Sequence, residues 1–118
     1  MDLAALVKIQ ITADEKRGFP VRFGGDRERV MQLMKDLVGL FGEIGEFSNL
    51  IKKIEIKLDH PAYDGPSLAE SRAQLCEEVI DSFIYLMRLA AILETDLEAE
   101  LLKKIQINDE RYKPLEHT

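Results

Sequence analysis

Two pairs of acidic residues are the part of this sequence best suited to chemistry. Glu43 and Glu46 form the first pair and Glu78 and Asp81 the second, and in each pair the acids are three residues apart. Because residues three apart share one face of a helix, each pair presents its carboxylates together. Four carboxylates gathered by two packed helices would repel one another, so the pattern predicts a cation between them. Hard divalent cations prefer such oxygen ligands.

The second acid pair lies in a strongly apolar segment. Apolar residues cover most of the circumference of a helix over residues 79–93: Val79, Ile80, Phe83, Ile84, Leu86, Met87, Leu89 and Ile92. Such a helix must be buried on most sides, which three or four helices of one small chain are not expected to achieve, so a partner subunit is predicted. A buried, unpaired carboxylate at Asp81 would be costly, and a metal would keep it ionised.

The elements that position these acids are predicted to be helices. A weak apolar stripe starts at Leu3, and Gly and Pro at residues 17–20 interrupt it. Asp26 is the expected N-cap of a long helix that runs to about Leu58, with apolar residues close to a 3.6-residue period. We therefore divide the chain into an N-terminal arm, residues 1–25, and an all-α domain, residues 26–118.

The later helix boundaries follow from capping patterns. Ser67 with Glu70 forms a capping box at the start of the apolar helix. Thr95 with Glu98 is predicted to form a second box before the last helix, which Pro114 should end. No strand alternation is present. The predicted fold class is therefore all-α, a helical bundle of about four helices completed by oligomerisation.

Composition limits the remaining function classes. The 118 residues suit one domain with a modest core. A net charge of −6 argues against nucleic acid as a partner, and no apolar stretch is predicted to span or bind a membrane. The single cysteine, Cys76, cannot form an internal disulfide and is expected to be a packed thiol. Because the N-terminus lacks signal-peptide features as well, a cytoplasmic location is predicted.

A basic and amide face on the last helix could hold phosphate. Lys104, Asn108 and Arg111 are spaced i, i+4 and i+7, so they share one side of that helix. Such groups bind phosphate oxygens well. From spacing alone, a solvated C-terminal turn whose cations favour the helix dipole is the simpler interpretation.

The order of these patterns resembles a known family. Glu43-x-x-Glu46 followed by Glu78-x-x-Asp81 is similar to the signature of the MazG-like all-α nucleoside triphosphate pyrophosphohydrolases. The resemblance continues through the apolar run to Lys104-x-x-x-Asn108-x-x-Arg111-Tyr112, and it covers roughly residues 30 to 113.

This resemblance implies a specific reaction. A nucleoside triphosphate would be hydrolysed to the monophosphate and pyrophosphate, which suggests removal of non-canonical or surplus nucleotides. It also implies a homodimer or homotetramer, and Mg²⁺ or Mn²⁺ to neutralise the phosphates and activate water. The implied metal ligands are Glu43, Glu46, Glu78 and Asp81. Either Glu43 or Glu46 would be the general base. The phosphates would be held by Lys104, Asn108 and Arg111.

Other functions stay open at this stage. Related acid patterns serve dUTP hydrolysis and phosphoribosyl-ATP hydrolysis, and a non-catalytic helical adaptor could keep the same fold. A carboxylate-bridged di-iron bundle is disfavoured because neither acid pair is followed by the Glu-x-x-His that it needs. In the arm, Arg17, Phe19, Arg22 and Phe23 could contact a nucleotide, although packing onto a partner subunit is the favoured interpretation.

Overall fold

The computed structural model describes residues 1–117, which form four α-helices and a short 3₁₀ turn. These are α1 (Leu3–Lys16), α2 (Asp26–Asp59), α3 (Leu68–Ile92) and α4 (Leu97–Tyr112), with the 3₁₀ turn at Lys113–Leu115. Residues 1–117 contain no strand. The prediction of an all-α fold with about four helices is confirmed.

Helices α2 and α3 form the scaffold of the molecule. They run antiparallel, because Glu43 of α2 approaches Glu78 of α3 while the earlier Asp36 bonds to the later Arg88. The loop between them is tied to the end of α2 by Lys57, whose Nζ donates to two loop carbonyls at 2.7 and 2.9 Å. This hairpin places the two acid pairs opposite each other.

The capping box predicted at the start of α3 is confirmed. The Ser67 hydroxyl accepts from the Glu70 backbone N–H at 3.2 Å, and the Glu70 carboxylate accepts from the Ser67 N–H at 3.3 Å. The start of α2 differs from expectation, because Gly25 is the N-cap residue and Asp26 is the first helical residue. Helix α2 thus begins without a side-chain cap.

The capping box predicted for α4 is wrong in its residues. Asp96, rather than Thr95, is the N-cap, and its side chain accepts from the Ala99 N–H at 3.1 Å. The Glu98 carboxylate instead accepts from the Leu3 N–H of α1 at 3.1 Å, which joins the two helix starts. The end of the last helix agrees with prediction, since Pro114 lies in the 3₁₀ turn directly after it.

The small core lies where the N-terminal segment meets the end of α3. Ile11, Val21 and Ile92 are buried there, and four partly buried residues pack around them: Val7, Phe23, Leu33 and Ala91. The first 25 residues therefore pack against α3 and also contact α4 of their own chain. The domain boundary at residue 25 stays a prediction.

Much of the apolar surface is exposed in the single chain. Val79 and Ile80 of α3 are 52% and 56% exposed, and α4 has no buried residue. The accessible surface is 9006 Å², whereas a compact monomer of this mass has roughly 6,500 Å². Cys76, expected to be packed, is exposed as well. No helix within residues 1–117 is long and apolar enough to cross a membrane.

Candidate metal centre

Three of the four predicted acids meet where α2 crosses α3. Glu43, Glu46 and Glu78 each contribute a carboxylate oxygen, and these oxygens all lie within 4.8 Å of one another. We call these three residues the acid cluster. Glu46 is exposed, Glu43 is half-buried and Glu78 is buried. The i,i+3 spacing places Glu43 and Glu46 on one side of α2, as predicted, and the hairpin brings Glu78 to them.

The surroundings of Glu78 in the acid cluster favour its protonated form. The pKa of its carboxyl is raised from 4.5 to about 7, first because the protonated form shares a hydrogen bond with Glu43, then because of burial and the nearby Glu46. Oε2 of Glu78 is buried, and no described residue donates a hydrogen bond to it. The ionised form of Glu78 is therefore disfavoured by its surroundings within residues 1–117.

The chemistry of the acid cluster fits a hard divalent cation. Glu43, Glu46 and Glu78 each bring one carboxylate oxygen to the same place, and their charges disfavour one another. Glu78 also has a buried oxygen without a hydrogen-bond partner. Mg²⁺ is typically bound through a small number of carboxylates together with substrate phosphates. Glu43, Glu46 and Glu78 are thus the residues that would hold such an ion.

Asp81 does not join the acid cluster. It is half-buried, and it lines a neighbouring cavity together with Glu43. The burial argument that singled out Asp81 in the sequence applies instead to Glu78, which is 7% exposed. Periodicity identified an apolar helix correctly, but it did not show which of the two acids is buried against Glu43 and Glu46. A metal-ligand role for Asp81 stays a prediction.

A cavity of about 540 Å³ adjoins the acid cluster, and we call it the polar cavity. It shares Glu43 with the acid cluster, and it combines charged, amide and aromatic side chains. Its lining consists of Asp14, Phe19, Gln32, Lys35, Asp36, Glu43, Asp81, Ile84, Tyr85 and Arg88. Seven of these ten side chains are charged or carry an amide, and Phe19, Ile84 and Tyr85 supply apolar surface. The cavity volume suits one nucleoside.

A buried ion network that the sequence patterns did not predict lies at the other end of the polar cavity. Arg88 Nε donates to Asp36 at 3.1 Å, and Arg88 Nη1 donates to Asp14 at 3.2 Å. All three residues are buried, with 5 to 6% exposure. A lone arginine inside the apolar run of α3 was the available signal, since such a charge must find partners when the helix is buried.

Gly39 makes room for an aromatic wall of the polar cavity. A Cβ added at Gly39 would lie 2.5 Å from Cε1 and from the hydroxyl oxygen of Tyr85, which is too close for any side chain. Tyr85 therefore lies directly against the backbone of α2. This close approach needs a glycine at Gly39, whereas Gly42 and Gly45 have open space where a Cβ would lie.

The known proteins to which this chain is similar share one name. The chain is 38% identical to human "dCTP pyrophosphatase 1" over 104 residues, which are 86% of this chain and 59% of the human protein. The rat and bovine proteins of the same name are 34% and 33% identical, with the same coverage. These homologues support the resemblance to the MazG-like all-α pyrophosphohydrolases. It spans about three-fifths of the length of these relatives. No family model and no solved structure matches it significantly.

Within residues 1–117, the predicted phosphate-binding face is separate from the acid cluster. Lys104 and Arg111 are exposed, Asn108 is half-buried, and Arg111 stacks on the Tyr112 ring at 5.2 Å. Within the described chain, α4 contacts α1 and α3 but not α2. One protomer therefore does not bring this face to the acids, and the predicted roles of Lys104, Asn108 and Arg111 stay predictions.

Proposed function

We propose that this protein hydrolyses a nucleoside triphosphate to the nucleoside monophosphate and pyrophosphate, with a divalent cation held by the acid cluster. The observation that carries the proposal is the convergence of Glu43, Glu46 and Glu78 with one buried, unpartnered oxygen. The relatives named dCTP pyrophosphatase support the same reaction and suggest a deoxynucleotide as substrate.

The polar cavity is the proposed nucleoside site. It begins at Glu43, so a nucleoside in the cavity would direct its phosphates toward the acid cluster. Phe19 and Tyr85 offer aromatic faces for the base, and Lys35, Gln32 and Asp36 offer polar groups for its edges. Of the two interpretations of the arm, the position of Phe19 favours contact with the nucleotide.

The acids are assigned different parts of the reaction. Mg²⁺ or Mn²⁺, when bound, supplies positive charge that neutralises phosphate oxygens and increases the acidity of water. Glu43, Glu46 and Glu78 would hold the ion. Glu43 belongs to both the acid cluster and the polar cavity, so it is the residue we assign to orient the attacking water and accept its proton. Attack is proposed at the α-phosphorus, with pyrophosphate as the leaving group.

The working unit is proposed to be a homodimer or homotetramer. The chain exposes about 2,500 Å² more surface than a compact monomer of its mass, an excess that matches what obligate dimers bury. Its radius of gyration is 18.5 Å, against about 13 Å for a compact domain of this length. An apolar groove of about 300 Å³ beside Glu78, lined in part by Val79, Phe83 and Leu86, belongs to this exposed surface.

Assembly also accounts for the position of α4. Lys104, Asn108 and Arg111 do not reach the acid cluster of their own chain, so in this proposal they contact the phosphates bound by a neighbouring protomer. Lys104→Ala should then impair substrate binding and leave both metal binding and the fold intact.

A nucleotide panel in ¹⁸O-labelled water tests the reaction. The purified protein is incubated with Mg²⁺ and each canonical and deoxy nucleotide, dUTP included, and with phosphoribosyl-ATP. We expect pyrophosphate release, with the label in the monophosphate. Label in pyrophosphate would place attack at the β-phosphorus. Orthophosphate with a diphosphate, or no turnover with any compound, would overturn the proposal, and the last result would favour the helical adaptor.

A further inference from the structure

Arg88 uses its whole guanidinium group inside the protein. Nε donates to Asp36, Nη1 donates to Asp14 and to the carbonyl oxygen of Phe19 at 3.3 Å, and Nη2 donates to the carbonyl oxygen of Pro20 at 3.1 Å. This single side chain therefore joins α1, α2, α3 and the loop between α1 and α2. Because the guanidinium group is planar and its N–H groups point in fixed directions, it fixes the direction of these hydrogen bonds as well as their number.

The loop segment that Arg88 holds carries an aromatic wall of the polar cavity. Phe19 lines the polar cavity, yet it is 55% exposed, so packing into a core does not hold it in place. Within residues 1–117, the Phe19 backbone makes one other hydrogen bond besides the one to Arg88: its N–H donates to the Asp14 carbonyl oxygen at 2.9 Å. Both anchors of Phe19 depend on residues of the ion network.

We propose that Arg88 is a positioning residue for the substrate: it pins the Phe19–Pro20 backbone so that the Phe19 ring forms a fixed wall against the nucleobase. This inference rests on the proposed function, since it assumes that the polar cavity holds the nucleoside. An aromatic face that is fixed before binding loses little freedom when a base stacks on it.

The position of Arg88 predicts which kinetic constant it controls. Its partner Asp36 lies seven residues before Glu43 on α2, which corresponds to about 10 Å along the helix axis. The reacting phosphate would lie at the acid cluster, beyond the reach of Arg88. A change at Arg88 should therefore weaken nucleoside binding, with little effect on the chemical step.

Steady-state kinetics of four proteins test this inference: the parent, Phe19→Ala, Arg88→Lys and Arg29→Lys. Lysine keeps the positive charge at position 88, but its ammonium group cannot reproduce the planar arrangement of hydrogen bonds that the guanidinium group donates. Arg29 is the matched control, because it joins α2 to Glu94 at 3.2 Å outside the polar cavity. We expect Phe19→Ala and Arg88→Lys to raise KM roughly tenfold while kcat stays within about threefold. Arg29→Lys should leave both constants unchanged.

Inorganic tripolyphosphate separates positioning from general damage to the site. It presents phosphates to the acid cluster and has no base, so its inhibition constant should be the same in the parent, Phe19→Ala and Arg88→Lys. Weaker tripolyphosphate inhibition, or a fall in kcat at unchanged KM, would overturn the inference. If Arg88→Lys does not fold, as judged by circular dichroism, then the exposed Phe19→Ala decides, and an unchanged KM in that variant rejects the inference.

Failure of the proposed function has a different signature. In that event the parent releases no pyrophosphate from any nucleotide. Calorimetric titration with deoxynucleoside monophosphates then tests the polar cavity directly. Binding that Phe19→Ala and Arg88→Lys weaken, and Arg29→Lys does not, would retain the positioning role, whereas absence of binding in the parent would reject it together with the proposed function.

Discussion

Two groups of carboxylates lie two helical turns apart along α2, around Asp36 and around Glu43, and they differ in how their charge is compensated. Asp36 and Asp14 share the buried guanidinium of Arg88. Glu78 meets two further carboxylates, has an unpartnered oxygen, and has its pKa raised to about 7. The first group carries its own cation and ties the helices together. The second lacks one, which is the arrangement expected where an external ion binds.

The largest expected difference is in metal binding. Glu43→Gln should remove Mn²⁺ binding and lower the rate of pyrophosphate release by about a hundredfold or more, because it removes a direct ligand and the proposed base. Glu77→Gln is the matched control: it makes the same change at an exposed neighbour of Glu78 that is not part of the acid cluster. Calorimetric titration with Mn²⁺ and a pyrophosphate assay measure both effects.

Asp81→Asn sharpens this test, because Asp81 lies outside the group that converges at 4.8 Å. We expect it to weaken Mn²⁺ binding less than Glu43→Gln does. Equal losses in the two variants would show that Asp81 is a full ligand, as the sequence pattern predicted. Metal binding that survives Glu43→Gln unchanged would contradict the site.

The second expected difference is in stability. Arg88→Met should lower the free energy of unfolding by about 3–5 kcal/mol, since it leaves Asp14 and Asp36 buried without a cation. Arg29→Met breaks a pair whose glutamate is 74% exposed, so it should cost no more than about 1 kcal/mol. Urea denaturation at neutral pH measures both values. Similar losses of unfolding free energy in the two variants would mean that the Arg88 network does not stabilise the packing of the helices.

A smaller effect is expected at the glycines between the two groups. Gly39→Ala places a methyl group against Tyr85, and such overpacking costs about 1–3 kcal/mol. Gly42→Ala enters open space, so it should stabilise α2 by up to about 1 kcal/mol through helix propensity. Denaturation midpoints compare the two. A destabilising Gly42→Ala would indicate that a neighbouring protomer covers that face.

The smallest expected effect is the pH dependence of the metal-free protein. Because the folded pKa of Glu78 is raised, the folded state binds a proton more tightly than the unfolded state between pH 4.5 and about 7. In EDTA, the parent should therefore gain stability relative to Glu78→Gln as the pH falls through this range. Thermal melts at several pH values test this, and Mg²⁺ should reduce the difference. A constant difference across the range would show that Glu78 is not strained by its neighbours.

The sequence determined the elements and most of the site. Helical periodicity and the Ser67–Glu70 box located the helices, because these signals are local along the chain. The i,i+3 spacing placed Glu43 and Glu46 on one face for the same reason. The family signature then paired these acids with the second helix, and three of the four predicted ligands do converge.

Only the tertiary structure decided which charges are buried and what compensates them. Glu78 rather than Asp81 is buried and joins the acid cluster, because the rotation of α3 about its own axis is set by packing with another helix. The same packing joins Arg88 to Asp14 and Asp36, residues 74 and 52 positions away in the chain. No local pattern encodes such distant pairs. The chain thus specifies its chemical groups locally, but their partners are chosen where the helices meet.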